Sequence, residues 1–168
     1  RAERHDRQLL AFGEALGKRL ADQGKQADLI AGNNVYAHVP DINDFTRGLK
    51  AALKPTGTIT LEFPHLMKLL EQKQFDTIYH EHFSYLSLGV VSRIFAQAGL
   101  RVWQVEELPT HGGSLRVYGC HTHDKRETLP SVTNLLQEET KLGLQHHQAN
   151  EVSRRVHTGR QHPLDQCC

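Results

Sequence analysis

Short apolar runs alternate with stretches whose apolar residues recur at helical spacing, and this alternation constrains the fold more than any other feature. Residues 8–23 carry apolar side chains three and four positions apart, which predicts an amphipathic helix. The run DLIAG at residues 28–32 predicts a buried strand that ends in a loop at Asn33 and Asn34. A helix followed by a buried strand favours a layered α/β arrangement.

The middle of the chain continues the alternation. Asp41 is suited to cap a helix over residues 42–53, because its carboxylate can accept from free amides of the first turn. The turn LKPTG at residues 53–57 then leads into a strand rich in β-branched residues, 58–63. Pro64 is placed to open a short helix.

The final part predicts one helix, a strand pair and another helix. Ser87 is the expected N-cap residue of a helix that ends at Gly99. Residues 100–107 and 114–121 alternate as strands do, and we expect them to be antiparallel to each other. A helix over 130–143 follows. The complete order predicts a mainly parallel sheet with a late antiparallel strand pair.

Composition excludes several classes of protein. The formal net charge is +1, and no apolar run of about 18 residues occurs, so we expect neither nucleic acid nor membrane as a partner. The three cysteines are Cys120, Cys167 and Cys168, which form neither a disulfide framework nor a complete metal-ligand set. A cytoplasmic location is therefore expected. Composition does not indicate the oligomeric state.

Residues 72–85 lack a regular period yet contain aromatic side chains and the sequence His80-Glu81-His82. Irregular segments inside a compact domain often carry functional sites. From the residues alone, a hydrogen-bonded cluster is the commoner interpretation of such a sequence. A metal-dependent hydrolase or lyase is an alternative, with His80 and His82 as two ligands and a third histidine elsewhere.

Four blocks follow one another along the chain: 33–41 (NNVYAHVPD), 62–65 (EFPH), 75–85 (FDTIYHEHFSY) and 108–116 (LPTHGGSLR). In this order they resemble the class I S-adenosylmethionine-dependent sugar C-methyltransferase family. The helix–turn–strand connection LKPTG is also typical of class I methyltransferases. The resemblance implies a partial Rossmann-like fold and methyl transfer to a ring carbon beside the ketone of a nucleotide-linked deoxysugar.

Carbon methylation requires that a proton beside the ketone be removed, which gives an enolate. Histidine suits this role because its ordinary pKa lies near neutrality. The resemblance implies a catalytic group of three residues: His82 as the base, Glu81 as an orienting or hydroxyl-binding residue, and Tyr79 as a donor to the enolate oxygen.

Further residues of the same blocks are candidates for binding. His38, His111 and Arg116 are expected to approach the sugar or its phosphates, since an arginine suits a diphosphate. Asn33 and Asn34 follow a strand directly, where α/β folds bind ligands, and are candidates for contact with S-adenosylmethionine.

The family also requires a glycine-rich cofactor loop, which this sequence does not show. Gly13, Gly17 and Gly24 lie on or at the end of a predicted helix, and only 27 residues precede the run DLIAG. We therefore expect a fragment. Residues 8–125 would form the C-terminal half of a methyltransferase catalytic domain, and 126–168 a helix with a polar end. A fragment without catalytic activity is the third alternative.

Overall fold

The computed structural model describes residues 12–74 and 80–144, apart from the side chain of His111. The part described contains five α-helices, four strands and two short 3-10 turns, Tyr36–His38 and Thr110–Gly112. The regular elements are α1 Glu14–Asp22, β1 Ala27–Asn33, α2 Ile42–Ala52, β2 Leu53–Pro64, α3 Leu66–Glu71, α4 Leu88–Ala98, β3 Leu100–Leu108, β4 Ser114–His121 and α5 Pro130–Lys141.

The strands form a sheet in the order β1-β2-β4-β3. The pair β1 and β2 is parallel, whereas β4 is antiparallel to both of its neighbours, β2 and β3. Three of the four described strands therefore point the same way. The predicted α/β class and the late antiparallel pair are confirmed.

Apolar side chains from the sheet pack against helices on the same core. The largest fully buried side chains are Tyr36 of the first 3-10 turn, Phe63 of β2 and Phe95 of α4. Phe95 of α4 lies directly on β4, since a Cβ atom at Gly119 would be 2.4 Å from its ring. This contact fixes α4 over the sheet.

The strand over residues 28–32 was predicted to be buried, and this is wrong. Leu29 is 60 % exposed, and Asp28 and Ala31 are exposed as well. In the part of the chain that the structure describes, β1 is an edge strand with β2 as its neighbour. A run of apolar residues does not by itself determine burial, because burial also depends on which elements cover each face of the strand.

The predicted turn after α2 lies within the bounds of β2. Ala27 pairs with Leu53, but Leu29 pairs with Thr58, so the residues between Leu53 and Thr58 bulge out of the ladder. The guanidinium of Arg126 donates to the carbonyl oxygens of Thr56, at 2.8 Å, and of Gly57. The turn is thus a bulge that is held by the side chain of Arg126, a residue that follows β4.

The predicted ends of α2 and α4 are confirmed, whereas Pro64 does not open a helix: it is the last residue of β2, and α3 begins at Leu66. The Asp41 carboxylate accepts from the amide of Asp44 at 2.9 Å, and the Ser87 hydroxyl accepts from the amide of Val90 at 3.3 Å. Gly99 ends α4 with a φ of 81°, a left-handed conformation that favours glycine.

Helices α1 and α2 cross at very short range. A Cβ atom at Gly17 would be 2.3 Å from the carbonyl oxygen of Gly48, and one at Gly48 would be 2.5 Å from the backbone of Gly13. These glycines therefore serve helix packing. Within residues 12–74 and 80–144, no helix is long and apolar enough to cross a membrane.

Candidate functional site

The candidate site begins where β1 ends. Asn33 is exposed in the last position of the strand, and Asn34 takes a left-handed φ of 53°. The amide of Asn34 donates to the carbonyl of Glu62 at 2.8 Å, which extends the contact between β1 and β2 by one residue. The chain then turns sharply into the 3-10 turn Tyr36–His38.

Tyr36 anchors this turn in the core. Its hydroxyl lies 2.7 Å from Oγ1 of Thr46 on α2, and Thr46 donates its own proton to the carbonyl of Ile42 at 2.6 Å. Tyr36 is therefore the donor to Thr46. Burial raises the pKa of Tyr36 above its ordinary value, so the phenol stays protonated. His38 follows two residues later and takes its position from this anchor.

We expect Tyr36→Phe to lower the free energy of unfolding by about 1 kcal/mol, because Thr46 loses its buried donor. Urea unfolding of the single variants and of the double variant Tyr36→Phe/Thr46→Val would measure the coupling. The double variant should cost less than the sum of the single ones, since both partners of the bond are then gone. If the losses of unfolding free energy in the single variants add up in the double variant, the two side chains are not coupled and Tyr36 does not anchor the turn.

The 3-10 turn holds the segment that contains the predicted catalytic histidine. Nδ1 of His38 lies 2.8 Å from the carbonyl oxygen of Glu81, so Nδ1 carries the proton and Nε2 of the neutral ring is an acceptor. The amides of Phe83 and Ser84 both donate to the carbonyl of Ala37, at 2.9 and 3.2 Å. The turn and this segment thus form one unit.

The two imidazole rings of the site are adjacent. The ring centroids of His38 and His82 are 4.7 Å apart, and the ring of Tyr85 meets His82 edge-on at 5.8 Å. His82 is half-buried, whereas His80 and Glu81 are exposed. The structure therefore brings His38, Glu81 and His82 together, but Glu81 contacts His38 through its backbone. Tyr79 lies outside the described residues.

A second polar group crosses the sheet near the same end. Glu62 pairs in register with Asn33 on one side and Arg116 on the other, and Arg116 pairs with Glu106. The Arg116 guanidinium donates to Glu62 at 2.8 Å and lies 3.5 Å from Glu106. The hydrogen bond to Glu62 is the main cause that raises the pKa of Arg116. Thr110 also donates to Glu62, at 3.2 Å.

This group changes the expectation for Arg116 and adds Glu62, which sequence reasoning missed. Arg116 was expected to approach the sugar or its phosphates, but its guanidinium is already paired with two carboxylates. Glu62 could have been found as the one charged residue in the otherwise uncharged strand run TITLEFP. The side chain of His111, also a predicted substrate residue, is not described.

We expect Arg116→Gln to lower the free energy of unfolding by about 1–3 kcal/mol, because the carboxylate of Glu62, which is 8 % exposed, would lose its cation. Urea unfolding with Glu62→Gln as the partner variant would measure the coupling energy. Lys125→Gln, on an exposed lysine after β4, is the control. Equal stability of Arg116→Gln and the control would mean that the pair contributes nothing.

Metal ligands are not assembled around the histidines whose side chains the structure describes. Among residues 12–74 and 80–144, no group of three or more His, Cys, Asp or Glu side chains is placed to hold a metal ion. His80 and His82 therefore have no third ligand in that part of the chain.

Comparison with known proteins gives two family matches along the chain. The family described as methyltransferase domain matches residues 2–105, and the family described as C-methyltransferase C-terminal domain matches residues 109–166. The two matches are consecutive and leave a gap of only three residues, 106–108, at the end of β3.

A curated relative agrees with both matches. The C-methyltransferase NovU of Streptomyces niveus is 40 % identical over 133 residues, which is 79 % of this chain and 32 % of the relative. The chain thus spans about a third of the length of this relative.

Solved structures give weaker likenesses. The putative methyltransferase in complex with the Trm112 activator of Haloferax volcanii has a TM-score of 0.49 at 16 % identity, over 59 % of this chain and 56 % of that one. Magnesium protoporphyrin IX methyltransferase of Synechocystis has a TM-score of 0.45 at 13 % identity, over 61 % and 48 %.

Proposed function

Because this chain belongs to the S-adenosylmethionine-dependent C-methyltransferase family, we propose that it supplies the substrate side of an enzyme that methylates carbon in a nucleotide-linked keto-deoxysugar. The protein would then act in deoxysugar biosynthesis, in the cytoplasm. The observation that carries the proposal is the pair of adjacent imidazole rings, His38 and His82, held at the end of a parallel strand.

The pair suits proton removal beside a ketone. His82 is half-buried, so solvent competes less for its ring nitrogens than at an exposed position, while a substrate can still reach it. His38 is fixed by its bond to the Glu81 carbonyl and lies against the His82 ring. In the proposal, His82 takes the proton and His38 contacts the substrate beside it.

The other predicted residues take roles around this pair. The carboxylate of Glu81 would bind sugar hydroxyls, because Glu81 is exposed and only its backbone carbonyl bonds to His38. Tyr79 would donate to the enolate oxygen. His111 would approach the sugar, and Arg116 would reach a phosphate only in exchange for one of its carboxylates.

S-adenosylmethionine is the methyl donor in this family, and two residues at the end of β1 are candidates to contact it. Asn33 is exposed at the carboxyl end of β1, with amide groups that can donate to and accept from a bound ligand. Asn33 and Asn34 would hold one side of the donor. Gly13, Gly17 and Gly48 are not candidates for a cofactor loop, because they lie in the contact between α1 and α2.

The test is methyl transfer by the whole protein. The enzyme would be incubated with methyl-labelled S-adenosylmethionine and a set of nucleoside-diphosphate keto-deoxysugars, and the labelled position would be located by NMR. We expect the label on a ring carbon beside the ketone. Label on oxygen, or equal transfer to the reduced sugars that lack the ketone, would refute the enolate route. Activity that depends on an added metal ion and not on the methyl donor would favour the hydrolase or lyase alternative.

A further inference from the structure

A carboxylate from α5 lies in the interior of the protein, at the start of α4. Glu139 is only 2 % exposed and lies far along the chain from the histidines of the site. Its Oε1 accepts from the backbone amide of Leu88 at 2.6 Å, and its Oε2 accepts from the amide of Gly89 at 2.8 Å. Glu139 thus binds the first turn of α4 with both oxygens.

The geometry is that of a cap supplied from another helix. The first amides of an α-helix have no partner within the helix, and the N-terminal end of the helix dipole favours a negative charge. Ser87 satisfies the amide of Val90, and Glu139 satisfies the two amides before it. Helix α4 therefore begins where α5 fixes it.

A buried histidine completes the contact. Nε2 of His65 lies 2.9 Å from Oε1 of Glu139, and the His65 side chain is fully buried at the end of β2. His65 also forms a β-bridge with Leu86, and the amide of Leu66 donates to the carbonyl of Leu86 at 3.0 Å. The residues before α4 are thus tied to β2 as well as to α5.

These contacts fix one end of the segment that carries the catalytic candidate. Residues 80–87 are attached at their start to Ala37 and His38, and near their end to His65 through Leu86. They continue directly into the first turn of α4, which Glu139 holds. The ring of Tyr85, just before this end, packs against His82. A shift of the first turn of α4 would therefore change the orientation of the His82 ring.

We propose that Glu139 is a positioning residue for the candidate base: by holding the first turn of α4 it fixes the segment 80–87 and the orientation of His82. The inference rests on the proposed function for its catalytic consequence, but its structural part does not. It also assigns α5, which lies within the match to the C-methyltransferase C-terminal domain, a role in the site.

The test compares three variants of the whole protein. Glu139→Gln keeps the shape of the side chain but places an amide nitrogen against a backbone amide or against His65. Glu138→Gln makes the same change at the exposed neighbouring position. Leu135→Ala removes a buried side chain, 4 % exposed, from the same helix and controls for a general loss of packing.

Hydrogen exchange, followed by mass spectrometry, measures how firmly residues 80–87 and the first turn of α4 are held in place. In Glu139→Gln we expect the amides of residues 80–90 to exchange about tenfold faster or more, the factor that corresponds to one lost hydrogen bond to a charged acceptor. Glu138→Gln should exchange as the unmodified protein does. Unchanged exchange in Glu139→Gln would overturn the proposal, whether or not the protein transfers methyl groups.

Kinetics separate positioning from stability. At a temperature at which all variants are folded, Glu139→Gln should lose about tenfold or more in kcat with an unchanged KM for the methyl donor, since Glu139 is buried and both of its carboxylate oxygens are already bonded. Leu135→Ala should unfold at a lower temperature but keep its kcat. An equal loss of kcat in Leu135→Ala would reduce Glu139 to a structural role and overturn the proposal. Absence of methyl transfer by the unmodified protein would refute the proposed function, and the exchange experiment would then decide the role of Glu139 alone.

Discussion

Replacement of His82 by Gln is expected to lower methyl transfer about 10²–10⁴-fold, the usual contribution of a positioned general base. Gln keeps a polar side chain of similar reach but cannot take a proton near neutral pH. In D2O, the proton beside the ketone should exchange with solvent when the unmodified enzyme is present, and the variant should slow this exchange by the same factor. NMR of the keto-sugar would measure the exchange, and calorimetry would show that the methyl donor still binds.

His80→Gln is the matched control for this experiment. His80 is exposed, two positions before His82, and the same chemical change there should leave exchange and methyl transfer unaltered. Wild-type exchange in His82→Gln would show that another group is the base. In that case His38, whose ring lies 4.7 Å from that of His82, would be the next residue to replace.

Replacement of Gly17 by Ala is expected to lower the free energy of unfolding by about 2–3 kcal/mol, within the usual cost of overpacking. Helix propensity alone predicts the opposite sign, since Ala stabilises a helix interior by about 1 kcal/mol relative to Gly. The close approach decides the sign, because a Cβ atom at this position would lie 2.3 Å from the backbone oxygen of Gly48. Backbone atoms cannot move aside as a flexible side chain can.

Urea unfolding, followed by circular dichroism, would test this prediction. Lys18→Ala is the control, because Lys18 is the exposed neighbour in α1 and should change stability by less than about 0.5 kcal/mol. A more stable Gly17→Ala variant would mean that α1 and α2 separate readily and that the crossing contributes little to folding.

Local signals in the sequence predict the helices and strands well. Asp41 and Ser87 cap helices, and Gly99 ends one, because these effects depend on residues within one helical turn. The antiparallel pair β3 and β4 was also predicted, from the alternation of its residues around a glycine break. The exposure of Leu29 was not, because burial of a strand depends on elements that pack on it from elsewhere in the chain.

The candidate site shows the same division. The family resemblance picks out His38 and His82, and the structure places their rings side by side. No local pattern indicates that the backbone of Glu81 holds His38, or that Arg116 is neutralised across the sheet. Glu139 lies on an ordinary amphipathic helix, so its role as a cap is visible only when α4 and α5 are seen together.

The order in which the ribosome makes these parts has a consequence for assembly of the site. Glu139 is synthesised long after His82, and at about 5–20 residues per second the interval lasts several seconds. During that time the nascent chain can form α4 with Ser87 as its cap, but not the contact with Glu139. On the proposed role of Glu139, the orientation of His82 is complete only after α5 has been made, and chains that stall before α5 are expected to lose methyl transfer.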